Sequence, residues 1–342
     1  MIAAALVKEL REKTGAGMME CKKVLTETNG DLDKAVELLR ERGMAKAAKK
    51  SDRIAAEGLV YCHTSEDKKA GVILEVNSET DFVSKNDEFR TFVADLAVQL
   101  TGSNPASVEE LENQKFIKDE SKTVKEVLTE KIATIGENMT IRRFEKLETA
   151  GTVVSYIHGD GKIGVLVDIE NATEQIAKGI AMHIAAMKPQ VLSYTELDAK
   201  FVADEVKAIQ SKIEIQNEDN KRTGKPLLRV PTYVSRLQLT DEVIAEVKAG
   251  LEADLKAQGK PGQIWDKIVP GQLERFIKDN TEVDQTYALF SQSFVMDDSK
   301  TVEKYLEEVG AKINSFVRFE VGEGIEKVEE DFAAEVAKQM GQ

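Results

Sequence analysis

The chain has 342 residues and a mass of 37.8 kDa, more than one small domain and suited to two or three folded units. Sixty-one Asp+Glu against 47 Lys+Arg leave a net charge of −14, a poor surface for gripping phosphate backbones. A hydrophobic content of 42% can bury real cores, and no apolar run approaches the roughly 18–20 residues that span a membrane. The opening Met1–Val7 run has no basic leader, and Cys21 and Cys62 make no disulfide framework, so a reduced, cytoplasmic protein is expected.

Residues 1–43 read as three short helices. Ala4, Leu6, Val7 and Leu10 share one helical face, and Thr14-Gly15-Ala16-Gly17 breaks it. Met18–Leu25 resumes a helix that Asn29-Gly30 stops. Asp31 can cap the third, whose inner face is Ala35, Val36, Leu38 and Leu39. Such a unit has a marginal core and suits docking better than catalysis. Residues 44–56 follow as a basic stretch with Lys46, Lys49, Lys50 and Arg53, read either as a solvated linker or as a contact for an acidic partner.

An internal duplication begins at Gly58. The run Gly58-Leu59-Val60-Tyr61-Cys62-His63 followed by Gly71–Val76 is matched by Val153-Val154-Ser155-Tyr156-Ile157-His158 followed by Gly164–Ile169. Each reads as a β-hairpin, the second with a strong turn at His158-Gly159-Asp160-Gly161. A helix follows each: Phe89, Phe92, Val93, Leu96 and Leu100 form one face in the first copy, and Ile180–Met187 repeats the pattern in the second. Phe116–Val124 pairs with Phe294–Val302, and Thr140–Glu145 with Ser315–Glu320; these read as helix, then strand. The expected core is two α+β copies, 57–151 and 152–193 with 290–325, each a small antiparallel sheet with helices on one face.

The second copy is interrupted. Pro105 to Phe116 is 11 residues and Pro189 to Phe294 is 105, an excess of 94. Within 194–289, Val202, Val206, Ile209 and Ile213, then Ile244, Val247, Leu251 and Leu255, are spaced like coiled-coil seams, so an antiparallel helical hairpin is expected with Thr223–Gln238 as its tip. Ile264, Trp265 and Ile268 form another apolar face after Gly259-Lys260-Pro261. Residues 326–342 read as one amphipathic helix striped by Val328, Phe332, Val336 and Met340.

No catalytic chemistry is legible. No G-x-x-x-x-G-K-[ST] occurs, no G-x-G-x-x-G follows a strand, and His63, His158 and His183 lack metal-ligand spacing. Cys21 reads as a buried helix-face thiol. One segment stands out between the copies. Thr80-Asp81-Phe82-Val83 lies where the second copy has Thr173-Glu174-Gln175-Ile176, so Phe82 falls opposite Gln175. Thr80 and Thr173 can each cap the coming helix. Phe82 is then either an exposed aromatic anchor for a partner or, seven residues before Phe89, a member of the core face.

These residues resemble a known family. Leu6-Val7-Lys8-Glu9-Leu10-Arg11-Glu12-Lys13-Thr14-Gly15-Ala16-Gly17-Met18-Met19 is similar to the opening of bacterial elongation factor Ts, Thr80-Asp81-Phe82-Val83 to its core signature, and Phe319–Lys327 to its C-terminal signature. The likeness runs through nearly the whole chain and departs between about 217 and 258, where the hairpin is longer than in shorter members. It implies an α+β multidomain fold with a ubiquitin-associated-like head, a duplicated core, an inserted coiled-coil hairpin and a C-terminal helical module. It also implies a non-enzyme without cofactor or metal: a guanine-nucleotide exchange factor that binds elongation factor Tu, first GDP-bound and then nucleotide-free. Arg11, Met18 and Met19 would grip the partner's GTPase domain and Lys50 would add an ion pair. Thr80, Asp81, Phe82 and Val83 would dislocate the partner's magnesium, with Phe82 as the wedge. His158 and Lys178 match further contacts, although Gly179 stands where family members can carry histidine. Neither nucleic acid nor membrane is an expected partner, and a homo-oligomer of the complex stays open. The rivals are an adaptor that binds without promoting exchange and an enzyme with a site between the core copies.

Overall fold

The structure is a computed structural model and describes residues 2–326; the expected helix over 326–342 lies, from residue 327 on, outside the described residues. The chain is an α+β protein in two compact units: residues up to Glu170 with those from Phe316 on, and Asn171–Ser315.

The first unit opens with α1 (Ala4–Thr14), α2 (Met18–Glu27) and α3 (Leu32–Ala48). The breaks fall where the glycines put them. Gly15, at φ +66°, takes the left-handed conformation that ends α1 and donates its N–H to the Arg11 carbonyl. The Asp31 carboxylate caps α3 by accepting from the Lys34 N–H. Leu10, Cys21, Val24, Leu25 and Ala35 are wholly enclosed between the three helices. The third helix runs past residue 43, because Met44-Ala45-Lys46-Ala47-Ala48 are helix formers with no proline among them. Five of the thirteen residues of the expected basic linker are therefore helix; Ala47 among them packs on the core of the first copy, next to buried Gly43, which lies against Ala133.

The first core copy comprises β1 (Glu57–Thr64), β2 (Ala70–Ser78), α4 (Asp81–Ser84), α5 (Asp87–Gly102), α6 (Val108–Asn113), β3 (Lys115–Phe116), β4 (Asp119–Thr123), α7 (Val124–Ile135) and β5 (Met139–Glu148). Strand β2 lies between β1 and β5, antiparallel to both, with Leu59 opposite Val76 and Tyr61 opposite Leu74. Val72, Leu74 and Val76 meet the predicted α5 face, Phe89, Phe92, Val93, Leu96 and Leu100, together with Val124 and Leu128 of α7. The opposite face, Val60, Cys62 and Ile73, meets Val153 of β6 (Thr152–His158), Leu166 of β7 (Ile163–Glu170) and Phe319. At Gly164 a Cβ would stand 2.4 Å from Val60 Cγ1, so this approach of the two sheets requires glycine. Covered on both faces, β2 reads as a continuous apolar run rather than an alternation.

The segments expected as helices at Phe116 and Phe294 are instead tight two-stranded hairpins. The chain reverses at Ile117-Lys118, and in the return strand Asp119 accepts from the Ser121 N–H at 3.1 Å and hydroxyl at 2.5 Å, which holds the irregular stretch between the paired residues Asp119 and Thr123. Helix α7 begins only at Val124, where Thr123 and Glu126 form a capping box.

The second copy repeats the order. Helix α8 (Glu174–Met187) follows its hairpin, and the insertion then supplies α9 (Ala199–Thr223), α10 (Asp241–Ala257), α11 (Trp265–Asp279) and α12 (Glu282–Tyr287). The copy closes with β8 (Ser293–Phe294), β9 (Asp297–Thr301), α13 (Val302–Val309) and β10 (Lys312–Glu320), and β7 lies between β6 and β10 as β2 lies between β1 and β5. The hairpin β8–β9 has the same register and the same irregularity as β3–β4.

The insertion departs from a simple two-arm hairpin. The α9 seam, Val202, Val206 and Ile209, is covered by Leu197, Val234, Val283 and Tyr287, while α10 packs on α11. The expected tip is largely a return path. After the turn at Gly224 the chain runs back along α9: Asn217 exchanges hydrogen bonds with the Leu228 backbone at 2.6 and 2.8 Å, and Gln210 donates to the Pro231 carbonyl at 2.9 Å. Pro226 and Pro231 keep this segment out of helix.

Candidate partner-binding surface

The feature that separates the two copies is larger than the sequence suggested. Gln99 of α5 accepts the Ile117 N–H at 3.0 Å and donates to Gln114 at 3.2 Å. His183 of α8 accepts the Val295 N–H at 3.1 Å and bonds Gln292 at 2.9 Å. Ile117 and Val295 follow the matching phenylalanines, so Gln99 and His183 are equivalent, 84 positions apart, whereas Gly71 and Gly164 in the central strands are 93 apart. Between strand and helix, copy one carries nine residues more. Phe82 therefore has no counterpart, and its pairing with Gln175 is corrected: Thr80–Ser84 belongs to the extra loop.

That loop is held from below and open on top. Thr80 gives Glu137 both its N–H, at 2.9 Å, and its hydroxyl, at 2.7 Å. Beside it, Glu79 accepts the Asn138 N–H at 2.5 Å. Thr80 stands at the start of α4 but makes no side-chain cap, because its hydroxyl is committed to Glu137. Thr173, by contrast, caps α8 as expected. Val83 is 5% exposed and inserted in the core of the first copy, while Phe82 next to it is 79% exposed. The reading in which Phe82 joins the core face is thereby excluded. Successive residues of one helical turn point apart, so burying Val83 turns Phe82 outward.

Charge frames the ring. Lys85 hydrogen-bonds Asp81 at 2.7 Å and holds its carboxyl below the ordinary value. Arg90 donates to the Ser84 carbonyl at 2.9 Å and pairs with Asp160 at 2.7 Å. This guanidinium ties the Phe82 loop to the β6–β7 turn that begins at His158, so Thr80–Val83 and His158 share a neighbourhood. His158 is exposed, with Nδ1 3.0 Å from the Tyr156 hydroxyl. Glu137 and Arg90 were not legible in the sequence: Glu137 lies 57 positions beyond Thr80 and neither belongs to a motif.

The remaining residues fall elsewhere. Arg11, exposed on α1, and Met18 and Met19, 59% and 75% exposed at the start of α2, belong to the three-helix head. Lys50 is half-buried, and its ammonium donates to the Gly136 carbonyl at the C-terminal end of α7, where the helix dipole favours a cation. Lys178 is exposed on α8, in the second unit.

Nothing among the described residues assembles a reactive centre. No group of three or more His, Cys, Asp and Glu is placed to hold a metal ion. Burial pushes the Cys62 thiol up to about 12 and raises that of Cys21, which sits on the buried helix face as expected. No described helix is long and apolar enough to cross a membrane.

Residues 79–227 and 229–323 match the sequence model of the family described as Elongation factor TS. Over 341 residues, 99% of this chain and 97% of the relative, the chain is 52% identical to Elongation factor Ts of Streptococcus agalactiae serotype V. It is 50% identical over 348 residues to Elongation factor Ts of Aliarcobacter butzleri and 49% over 354 residues to that of Campylobacter fetus subsp. fetus, covering 99% of each chain in both pairs. With the duplicated core, the Phe82 loop and a likeness that spans the chain, the protein belongs to the elongation factor Ts family.

Proposed function

We propose that this chain is the guanine-nucleotide exchange factor of its organism's elongation factor Tu, working in the cytoplasm: it binds the GDP-bound form and accelerates GDP release. The observation that carries the reading is the loop of copy one, which presents an isolated aromatic ring on a backbone clamped by Glu137, Asn138 and Arg90. A preformed apolar wedge loses little conformational freedom on docking. Phe82 enters the partner near its bound magnesium, Asp81 competes for polar contacts there, and Thr80 and Val83 hold the turn. Magnesium bridges the nucleotide's phosphates, so moving it loosens their hold.

The three-helix head, which we read as ubiquitin-associated-like, grips the GTPase domain through Arg11, Met18 and Met19. Flexible thioethers suit an irregular apolar surface. His158 adds a contact beside the wedge and Lys178 another from the second unit, while Lys50 chiefly anchors the head to the core. No covalent bond is made or broken. By reciprocity, a factor that weakens nucleotide binding is itself weakened by nucleotide to the same degree. The deciding experiment is the stopped-flow release of fluorescently labelled GDP from elongation factor Tu with and without this protein. Acceleration supports exchange; binding with an unchanged release rate supports the adaptor.

A further inference from the structure

The Phe82 loop and the linker that follows the head share one support. Helix α7 ends on Gly136, left-handed at φ +93°, and the corner Gly136-Glu137-Asn138 leads into β5. Each residue of this corner holds something. The Gly136 carbonyl accepts from Lys50, just past the end of α3. The Glu137 carboxylate accepts the Thr80 N–H and hydroxyl. Asn138, 4% exposed, reaches both ways. Its Nδ2 donates to the Arg53 carbonyl at 2.8 Å, with the Ser51 carbonyl 3.4 Å away, and its own N–H goes to Glu79 at 2.5 Å. Arg53 closes the ring on Glu79 at 3.4 Å, although the two lie 26 positions apart in sequence. Carbonyl oxygens only accept, so the amide nitrogen of Asn138 is the atom that must face the linker.

The internal duplication supplies a control. Copy two ends α13 on Gly310, also left-handed at φ +68°, and continues into β10 with Ala311-Lys312, of which Lys312 is exposed. It has no head before its first strand and no loop like Thr80–Ser84. The fold therefore turns this corner without a carboxylate and a buried amide. Those two groups occur in the copy that has a linker and a loop to hold.

We propose that Asn138 is a positioning residue for nucleotide exchange: its side chain joins the head linker and the Phe82 loop into one piece, so that a head seated on the partner delivers the ring at a fixed offset. The proposal rests on the exchange reading and adds to it how two separate contact elements act together. Along the chain, linker and loop are connected only through the whole β1–β2 hairpin. Through Asn138 they are two hydrogen bonds apart, one on Arg53 and one on Glu79 beside Thr80. A loop ordered in advance on the same support as the head loses little freedom when the partner docks, and it meets the partner in one orientation.

Asn138→Ala keeps the backbone N–H on Glu79 and leaves Glu137 on Thr80, so it cuts only the tie to the linker. The first measurement is residue-resolved amide hydrogen exchange of the full chain, which needs no partner. The Thr80 N–H is expected to exchange at least roughly ten-fold faster in the variant, while Leu74 in β2 changes by less than about two-fold. An unchanged Thr80 overturns the proposal. So does a rise shared equally by Leu74, which reports a general loss of stability. Should the variant not fold, Thr80→Val removes the hydroxyl bond from the loop side and is read at the Arg53 N–H, which bonds the Lys50 carbonyl at 2.9 Å. Coupling is reciprocal, so faster exchange at Arg53 supports the tie and unchanged exchange overturns it. The second measurement is stopped-flow GDP release against factor concentration. Asn138→Ala is expected to lower the plateau rate by at least roughly three-fold, because a misplaced ring acts poorly even in a saturated complex. A smaller folded fraction would move only the concentration at half effect, so an unchanged plateau overturns the proposal. A parent chain that leaves release unaccelerated overturns the exchange reading and with it the role in exchange, while the hydrogen-exchange result still decides whether Asn138 joins linker and loop.

Discussion

Two side chains carry most of the meaning at the residue scale. Phe82 touches little of its own protein, so truncating it should leave the fold alone. Phe82→Ala is expected to change stability by no more than about 0.5 kcal/mol and to keep the far-UV CD spectrum, while slowing stimulated GDP release by roughly ten-fold or more. A variant that accelerates release like the parent would remove the wedge from the mechanism. His183 is the opposite case, fully buried. A backbone N–H can only donate, so Nδ1 must accept from Val295 and the proton sits on Nε2, facing the Gln292 carbonyl. Burial depresses its pKa below the ordinary imidazole value. The unfolded chain then takes up a proton that the folded chain refuses, and stability falls as pH drops below about 6.5. Gln99 does the same work in the first copy without titrating. His183→Gln is therefore expected to fold and to flatten this part of the pH profile, as read from thermal unfolding between pH 7 and 5. An unchanged acid slope would assign it to other groups.

At the scale of elements, the irregularity between β2 and β5 shows how a local defect is used. The register shifts at Glu75/Val76 so that Glu75 faces Arg143 and Val76 faces Ile141, leaving Arg142 as the extra residue. A bulge of this kind sets two consecutive side chains against one. Both guanidiniums reach the same buried carboxylate, and Arg143 also stacks on Phe319, 4.1 Å from its ring centroid. Removing the charge strands two partly buried cations, so Glu75→Gln should cost about 2–4 kcal/mol in urea unfolding of the first unit. A cost under about 0.5 kcal/mol would mean the guanidiniums are adequately served by water and by Glu323. The insertion shows the limit of seam counting. The spacing of Val202, Val206 and Ile209 was legible as an apolar stripe, but its partner was not, because a stripe specifies burial and leaves the covering surface open.

For the whole molecule, the head is joined to the core by more than a tether. Arg40 pairs with Glu126, Gly43 lies on Ala133, and Lys50 bonds the end of α7. A chain beginning at residue 55 should still fold, since the core copies keep their own buried clusters. It is expected to bind elongation factor Tu at least roughly ten-fold more weakly in calorimetry, about 1.4 kcal/mol. Undiminished affinity would show that the head is not part of the grip.

The sequence by itself determined the elements and their repetition. Helix faces at Phe89–Leu100, the glycine breaks of the head, the paired hairpins and the family signatures are local patterns, set by backbone sterics and by apolar period. Only the tertiary structure decided that Phe82 stands in a loop without counterpart, that Glu137 and Arg90 hold it, and that α10 pairs with α11. Those outcomes depend on which surfaces meet across tens of residues, and burial energy is indifferent to sequence distance. The hairpins at Phe116 and Phe294 are the same case: their apolar runs are too short for a period to distinguish helix from strand, and pairing of Phe116 with Asp119 and of Phe294 with Asp297 decides.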